Sequence, residues 1–259
     1  MNRFRILYKF ILHFLTARNT HGFGVHSPSV YHFTKFVLDN RGTYYVFSGI
    51  EKIRKALKKD KRVVDFVDFG TGGNRRRKIA GIASTSLKSA KYGQLLYRLT
   101  KELKARNVLE LGTSLGITTA YLASVSTGIR CVSMEGSPEI ARIANDNFGE
   151  LNIKNIKIEV GDINLNLSKV LDEFETIDLI FMDANHTQEA VLEYFEKIVA
   201  KVHQKSVVVV DDIYWSSDME KAWIQLKEHP RVTSTIDLFQ MGIVFFNTDL
   251  HKKHYKMRY

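Results

Sequence analysis

Short apolar runs alternate with stretches of helical spacing through the second half of this chain. Val108–Leu111 is one such run. It stops at Gly112-x-x-x-Gly116, after which apolar residues fall at Ile117, Ala120, Tyr121 and Ala123. The pattern predicts strand, tight glycine turn and helix. Ile129–Met134 is a second β-rich run that closes on Glu135, and Ser137-Pro138-Glu139 then sets a helix N-terminus for a helix running to about Phe148. Further strands are predicted at Ile156–Val160, Ile177–Met182 and Ser206–Val210, with helices at Leu165–Phe174, Glu189–Val202 and Met219–His229. Ile177–Met182 is almost continuously apolar, as a parallel strand covered on both faces must be. Val232–Phe239 and Gly242–Phe246 lie close enough in sequence to form an antiparallel pair. Strand–helix alternation of this kind predicts an α/β fold.

The front of the chain reads differently. Phe4, Leu7, Phe10, Ile11, Phe14 and Leu15 recur at helical spacing with Arg3, Arg5, Lys9 and Arg18 among them, an amphipathic basic helix over residues 1–18. Such a helix can lie in a membrane interface, pack on a partner subunit such as a second copy in a homodimer, or cover the core. Packing is favoured over the membrane. Thr20–Phe33, with two glycines, a proline and three histidines, reads as a loop over a pocket, and His21, His26 and His32 match no common zinc spacing. Glu51–Arg62 reads as a solvated surface helix, Asn74–Lys78 as a flexible basic loop facing substrate, and Tyr92–Leu103 as the helix leading into Val108. Val63–Gly73 imitates a strand and glycine loop and competes as a cofactor site. It loses because no second β-run ending in an acid follows at the required distance.

The chemistry gathers at the strand ends. In an open α/β sheet ligands bind beyond the carboxyl ends of the strands, where Glu110, Glu135, Asp162, Asp183, Asp211 and Asp212 all fall. Glu135 follows Gly112 by 23 residues, the place for an acid that accepts both hydroxyls of a ribose. A nucleoside-containing cofactor follows. The dinucleotide fingerprint needs G-x-G-x-x-G, but here Thr113 stands where the second glycine belongs, so a pyrophosphate fits poorly. Glu110, just before the glycine turn, suits instead the cationic amino-acid end of S-adenosylmethionine.

On these residues the chain resembles the class I S-adenosylmethionine-dependent methyltransferases, and within them the metal-dependent O-methyltransferases of the catechol and caffeoyl-CoA type. Gly93-Gln94-Leu95-Leu96 resembles the helix that precedes the cofactor motif in that group. The resemblance covers roughly residues 88–247. It implies a Rossmann-like methyltransferase fold: a seven-stranded, mostly parallel sheet with a reversed C-terminal hairpin and helices on both faces. To this is added a basic helical N-terminal extension, residues 1–87, ahead of a methyltransferase domain, residues 88–259. It implies a cofactor site built from Glu110, Gly112, Thr113, Ser114, Gly116, Thr118, Glu135, Gly136, Asp162 and Asp183, with Asp162 beside the adenine amino group. It implies a divalent cation, Mg²⁺ before Mn²⁺ or Ca²⁺, at Asp183, Asp211 and Asp212, although Asp212 stands where the family pattern has Asn. His186 takes the offset from Asp183 at which the catechol enzyme carries a lysine base, and histidine suits the role near neutral pH. Asp162 and His186 also have plain local readings, an Asx turn and a helix N-terminal histidine.

Composition narrows the class. At 259 residues and 44% hydrophobic content the chain can bury a sizeable core. The single Cys131 sits inside a predicted strand and forms no intrachain disulfide, which points to a reducing compartment. Ile6–Leu15 is interrupted by Lys9 and His13 and too short to span a bilayer, so the expected location is cytoplasmic, including a peripheral position at a membrane through residues 1–18. Residues 1–106 carry 23 Lys and Arg against 6 Asp and Glu, and residues 107–259 carry 15 against 22. The two halves have opposite sign. The expected activity is methyl transfer to a hydroxyl of a small-molecule acceptor. The alternatives are a metal-independent N- or RNA-methyltransferase using the basic front for phosphates, and a non-catalytic protein that keeps the fold. Few aromatics interleave with the basic clusters, which argues against nucleic acid.

Overall fold

The computed structural model describes residues 3–67, 74–249 and 251–259. In chain order the helices are α1 (Arg3–Thr16), α2 (Pro28–Phe33), α3 (Tyr45–Leu57), α4 (Ile79–Thr85), α5 (Ala90–Glu102), α6 (Ile117–Ala123), α7 (Pro138–Glu150), α8 (Ile163–Asp172), α9 (Gln188–Val199) and α10 (Ser217–Glu228). The strands are β1 (Val63–Val67), β2 (Asn74–Lys78), β3 (Asn107–Leu111), β4 (Arg130–Glu135), β5 (Ile156–Val160), β6 (Ile177–Met182), β7 (Val202–Asp211), β8 (Ser234–Asp237), β9 (Met241–Phe245) and β10 (Lys253–Lys256).

Eight strands are hydrogen-bonded in the order β10-β8-β9-β7-β6-β3-β4-β5. β3, β4 and β5 run parallel, as do β6 and β7, whereas β9 is antiparallel to β7 and β8. This is the mostly parallel, Rossmann-like sheet with a C-terminal β8–β9 hairpin in which β9 is the reversed strand, but among the described residues it has one strand more than the seven expected. The extra strand is β10, from the basic tail, which adds parallel to β8 with Lys253 opposite Ser234 and Tyr255 opposite Ile236. Its pattern hides it: only Tyr255 is apolar enough to bury, and the pairing rests on backbone bonds at an edge that lysines tolerate.

Three other expectations change. Residues 74–78 are a strand, β2, paired antiparallel with β1 so that Val63 faces Lys78 and Val67 faces Asn74. A run of four cations has no period to read, and the partner strand supplies the order, with Arg76 lying 3.8 Å from Asp65 across the pair. The glycine-rich residues between them, 68–73, weighed above as a competing cofactor site, lie outside the described residues. Residues 20–33, expected to be irregular, contain a 3-10 turn at Thr20–Gly22 and α2, followed by a π-helical turn at Thr34–Leu38. Ser27 caps α2 by accepting from the Val30 N–H at 3.4 Å, and Pro28 opens it. There His21 contacts Asp39 at 2.7 Å and His32 stacks on Phe36. The helix read as a solvated run over 51–62 begins earlier, at Tyr45, and with Phe47 and Ile50 its apolar face is complete and buried.

The chain forms two compact units, Arg41–Val170 and Met1–Asn40 with Leu171–Tyr259, so the 1–87 extension is divided between them. In Arg41–Val170 the core joins α3 to α5 and α6: Phe47 meets the rings of Tyr97 and Tyr121 edge-on, at 5.0 and 5.4 Å. Gly93 admits Tyr121, since a Cβ there would lie 2.5 Å from its ring. That close approach is the physical content of the Gly-Gln-Leu-Leu signature. Tyr121 Oη donates to Glu51 at 2.8 Å, and burial with this acid pushes the phenol well above its ordinary pKa. Cys131 is buried and free, and burial with the nearby Glu110 charge holds its thiol far above the reactive range.

In the other unit β7 is buried from Ser206 to Asp211 and β9 from Met241 to Val244, and α1 lies on the unit with an unexpected orientation. It presents its polar stripe inward. Arg5 and Lys9 both reach Glu220, at 2.5 Å each, Arg5 also donates to the carbonyls of Tyr214 and Ser216, and His13 meets Asp237 at 3.1 Å. The apolar face points out. α1 covers its unit with its polar rather than its apolar side: the partly buried Glu220 draws Arg5 and Lys9, and the buried Asp237 meets His13, three residues spaced i, i+4, i+8.

Candidate active site

In the unit Arg41–Val170 the site begins at the end of β3. Gly112 and Gly116 have φ of 101° and 78°, and Ser114 between them has 48°, so the turn demands left-handed backbone three times in five residues. Gly116 is needed for space as well: a Cβ there would sit 2.6 Å from the Phe148 ring. The N–H groups of Gly112 and Thr113 both donate to the Met134 carbonyl at 3.0 Å, which fixes the turn against the end of β4.

Glu135 is held from both sides. Ser114 N–H donates to Oε2 at 2.8 Å and Ser137 N–H to Oε1 at 3.0 Å. Burial pushes this carboxyl above its ordinary pKa, and the N–H bonds from Ser137, Ser114 and Gly136 offset only part of that. Each oxygen has a further lone pair, so a bridging pair of hydroxyls can still be accepted. Glu110 is completely buried; its Oε2 accepts from Ser133 Oγ at 2.5 Å and from the Thr119 hydroxyl. Thr113 Oγ1 lies 2.5 Å from the same Ser133 hydroxyl. Glu110 therefore braces β3, β4 and α6 under the turn. Ser133 and Thr119 were missed by sequence reading, although a serine inside Cys131-Val132-Ser133-Met134 was the available signal. Asp162 makes an Asx turn: Oδ1 accepts from the Asn164 N–H and side-chain amide, each at 2.9 Å, at the start of α8. Thr118 is buried in the first turn of α6, and Gly136 follows Glu135 directly.

The other unit holds the remaining acids. Asp183 follows the last residue of β6 and Asp211 ends β7, while His186 lies in the loop before Thr187, the cap of α9. The ligand atoms of Asp183, His186 and Asp211 all lie within 4.8 Å of one another. His186 Nε2 is 3.3 Å from Asp183 Oδ1 and 3.7 Å from Asp212 Oδ2. Asp211 is fully buried and the other three are partly exposed, so the group opens to solvent on one side. Asp212 has φ 52°, with its N–H bonded to the Gln240 carbonyl at 2.7 Å. Asn and Asp are the non-glycine residues that best tolerate that conformation, which is why Asp can replace Asn here. Two carboxylates and an imidazole at this spacing fit a divalent cation by their chemistry, hard oxygens with one nitrogen.

Residues 109–213 match the family model described as a methyltransferase domain. The match takes in the end of β3 with the glycine turn, Glu135, Asp162 and the Asp183–Asp212 group. The chain is also similar to a catechol O-methyltransferase of Mycobacterium tuberculosis, 30% identical over 132 residues, 48% of this chain and 56% of that protein. A catechol O-methyltransferase of Niastella koreensis is 27% identical over 137 residues, 52% of this chain and 61% of that one. The aligned region thus spans little more than half the length of these relatives. Among solved structures, the O-methyltransferase from Bacillus cereus in complex with SAH superposes with a TM-score of 0.57 at 21% identity, over 82% of this chain and 96% of that one. The methyltransferase fold is common to both.

Proposed function

We propose that this protein is an S-adenosylmethionine-dependent O-methyltransferase acting on a hydroxyl of a small-molecule acceptor with a divalent cation. The observation that carries the reading is the convergence of Asp183, His186 and Asp211 within 4.8 Å at the ends of two parallel strands, inside a methyltransferase domain. The O-methyltransferase names of the relatives support it, as does the SAH held by the Bacillus cereus protein.

In this reading the glycine turn, Glu135 and Asp162 hold the cofactor, which brings the methyl group as a sulfonium. Glu135 accepts the ribose hydroxyls, and its N–H bonds fix its rotamer before the ligand arrives. Glu110 places negative charge beneath the turn, toward the amino-acid end. A divalent cation at Asp183, Asp211 and Asp212 would polarise an acceptor hydroxyl and lower its pKa. With the cation held by the three carboxylates, His186, 3.3 Å from Asp183, would be the base that takes the hydroxyl proton rather than a ligand, a role imidazole suits near neutral pH. No covalent nucleophile is needed, since alignment is the protein's main contribution to an in-line displacement.

Calorimetry with S-adenosylhomocysteine tests the cofactor half. Glu135→Ala is expected to weaken binding by about 1.5–3 kcal/mol through loss of charge-assisted bonds. Unchanged affinity would remove Glu135 from the site. A screen of catechols, phenols and sugar hydroxyls, run with and without EDTA, tests the metal half: turnover should stop in the chelator while cofactor affinity stays. Full turnover in EDTA would discard the cation.

A further inference from the structure

The outward face of α1 is the largest feature that methyl transfer leaves unexplained. Phe4, Leu7, Tyr8, Ile11, Phe14 and Leu15 fall on one side of the helix, and Phe4, Tyr8 and Leu15 are 85%, 64% and 69% exposed. This is not a loosely placed helix, since Arg5, Lys9 and His13 pin the opposite side through Glu220 and Asp237. An apolar stripe of this extent on an anchored helix marks a surface that something else covers. The protein has used the polar face for its own contacts and offers the greasy one.

The charge around the stripe says what covers it. Residues 251–259 contain four Lys and Arg and no Asp or Glu, and in residues 1–39, where Arg5 and Lys9 pair inward with Glu220 and Lys35 pairs with Asp39, Arg18 stands just beyond the end of the stripe. The structure brings the two segments together. Asn19 N–H donates to the Lys256 carbonyl at 3.2 Å, Lys256 Nζ reaches Thr16 at 3.3 Å, and Arg258 donates from Nε to the Phe14 carbonyl at 2.9 Å with its guanidinium 4.0 Å from the Phe14 ring. The apolar stripe therefore ends in a cluster of cations that includes exposed Arg18 and Arg258. A second copy docked with its helix parallel would bring two such clusters together, which like charges oppose, and an antiparallel copy would leave both clusters without an anionic partner. A bilayer surface bearing anionic headgroups satisfies both halves, apolar side chains entering the acyl boundary and cations meeting phosphates. At 14 residues α1 is roughly 21 Å long, and no helix among the described residues is long and apolar enough to cross a membrane.

We propose that α1 and the C-terminal tail form a docking surface for anionic membrane, α1 lying in the interface plane with its apolar face down. The protein carries a reporter: of its two tryptophans Trp223 is buried, whereas Trp215 is 48% exposed in the loop whose Tyr214 carbonyl accepts from Arg5. The test is co-sedimentation of the full chain with vesicles of phosphatidylcholine with or without phosphatidylglycerol, with tryptophan emission as a second readout and sedimentation velocity for the oligomeric state. Wild type should bind the phosphatidylglycerol vesicles, less so in high salt, with a blue shift from Trp215. The Leu7→Gln/Ile11→Gln/Leu15→Gln variant should bind at least tenfold more weakly and still melt cooperatively, since these side chains are half to two-thirds exposed. Arg18→Gln should cost about fivefold on the anionic vesicles alone. Binding that is absent in wild type, or equal in the triple variant, overturns the proposal. A dimer that the same three substitutions dissolve, with no vesicle binding, overturns it in favour of a second copy.

Discussion

Replacing His186 with alanine is expected to lower turnover by about 10²–10⁴-fold while leaving S-adenosylhomocysteine affinity and the melting temperature close to wild type. In the proposed reading affinity is spared because the ribose is accepted by Glu135 and not by His186. Stability is spared because the imidazole is 31% exposed and sits in a loop ahead of the α9 cap. Added imidazole should restore part of the rate if the missing function is proton acceptance. Asp211→Asn gives the complementary result: it removes a carboxylate from the cluster, and turnover should fall to the level of the wild type in EDTA. A fully active His186→Ala enzyme would leave the cofactor fold standing without this base.

Replacing Asp237 with alanine should destabilise the protein by several kcal/mol, about 1–3 kcal/mol for each buried donor left without its acceptor. Asp237 accepts from Tyr214 Oη at 2.6 Å and from the Phe239 N–H at 2.9 Å, and its Oδ1 lies 3.1 Å from His13 Nε2. Truncation leaves all three donors in a buried site with their acceptor gone. Burial alone would push this carboxyl up, but the bonds and charge of His13, with the Tyr214 and Phe239 donors, more than offset it and hold the carboxyl below its ordinary value. A depressed folded-state pKa means that the group's stabilisation is present above the unfolded value, near 3.8, and is lost as pH falls through the lower folded value. The difference in unfolding free energy between wild type and Asp237→Asn should therefore be full at neutral pH and shrink below about pH 4. A difference that stays constant into strong acid would contradict the assignment. The same acid holds α1, so Asp237→Ala should also raise the proteolytic sensitivity of residues 3–16 before global unfolding.

Much of the fold could be read along the chain because its signals are local. Val108–Leu111, Ile129–Met134 and Ile177–Met182 are apolar runs bounded by glycine or an acid, and strands buried on both faces leave no other pattern. Gly112 and Gly116 could be read because left-handed backbone and the crowding of Phe148 admit little else. The family of Glu135, Asp183 and Asp211 followed from where strands end. The tertiary structure decided what depends on partners distant in sequence. β2 and β10 became strands because Val63–Val67 and Ser234–Asp237 offered backbone bonds that no side-chain period announces. Glu110 became a brace because Ser133 and Thr119 meet it in a dry interior. The spacing of α1 gave its two faces but not which one turns inward; that was decided more than two hundred residues away, where the partly buried Glu220 draws Arg5 and Lys9, the buried Asp237 meets His13, and the apolar face is left to solvent.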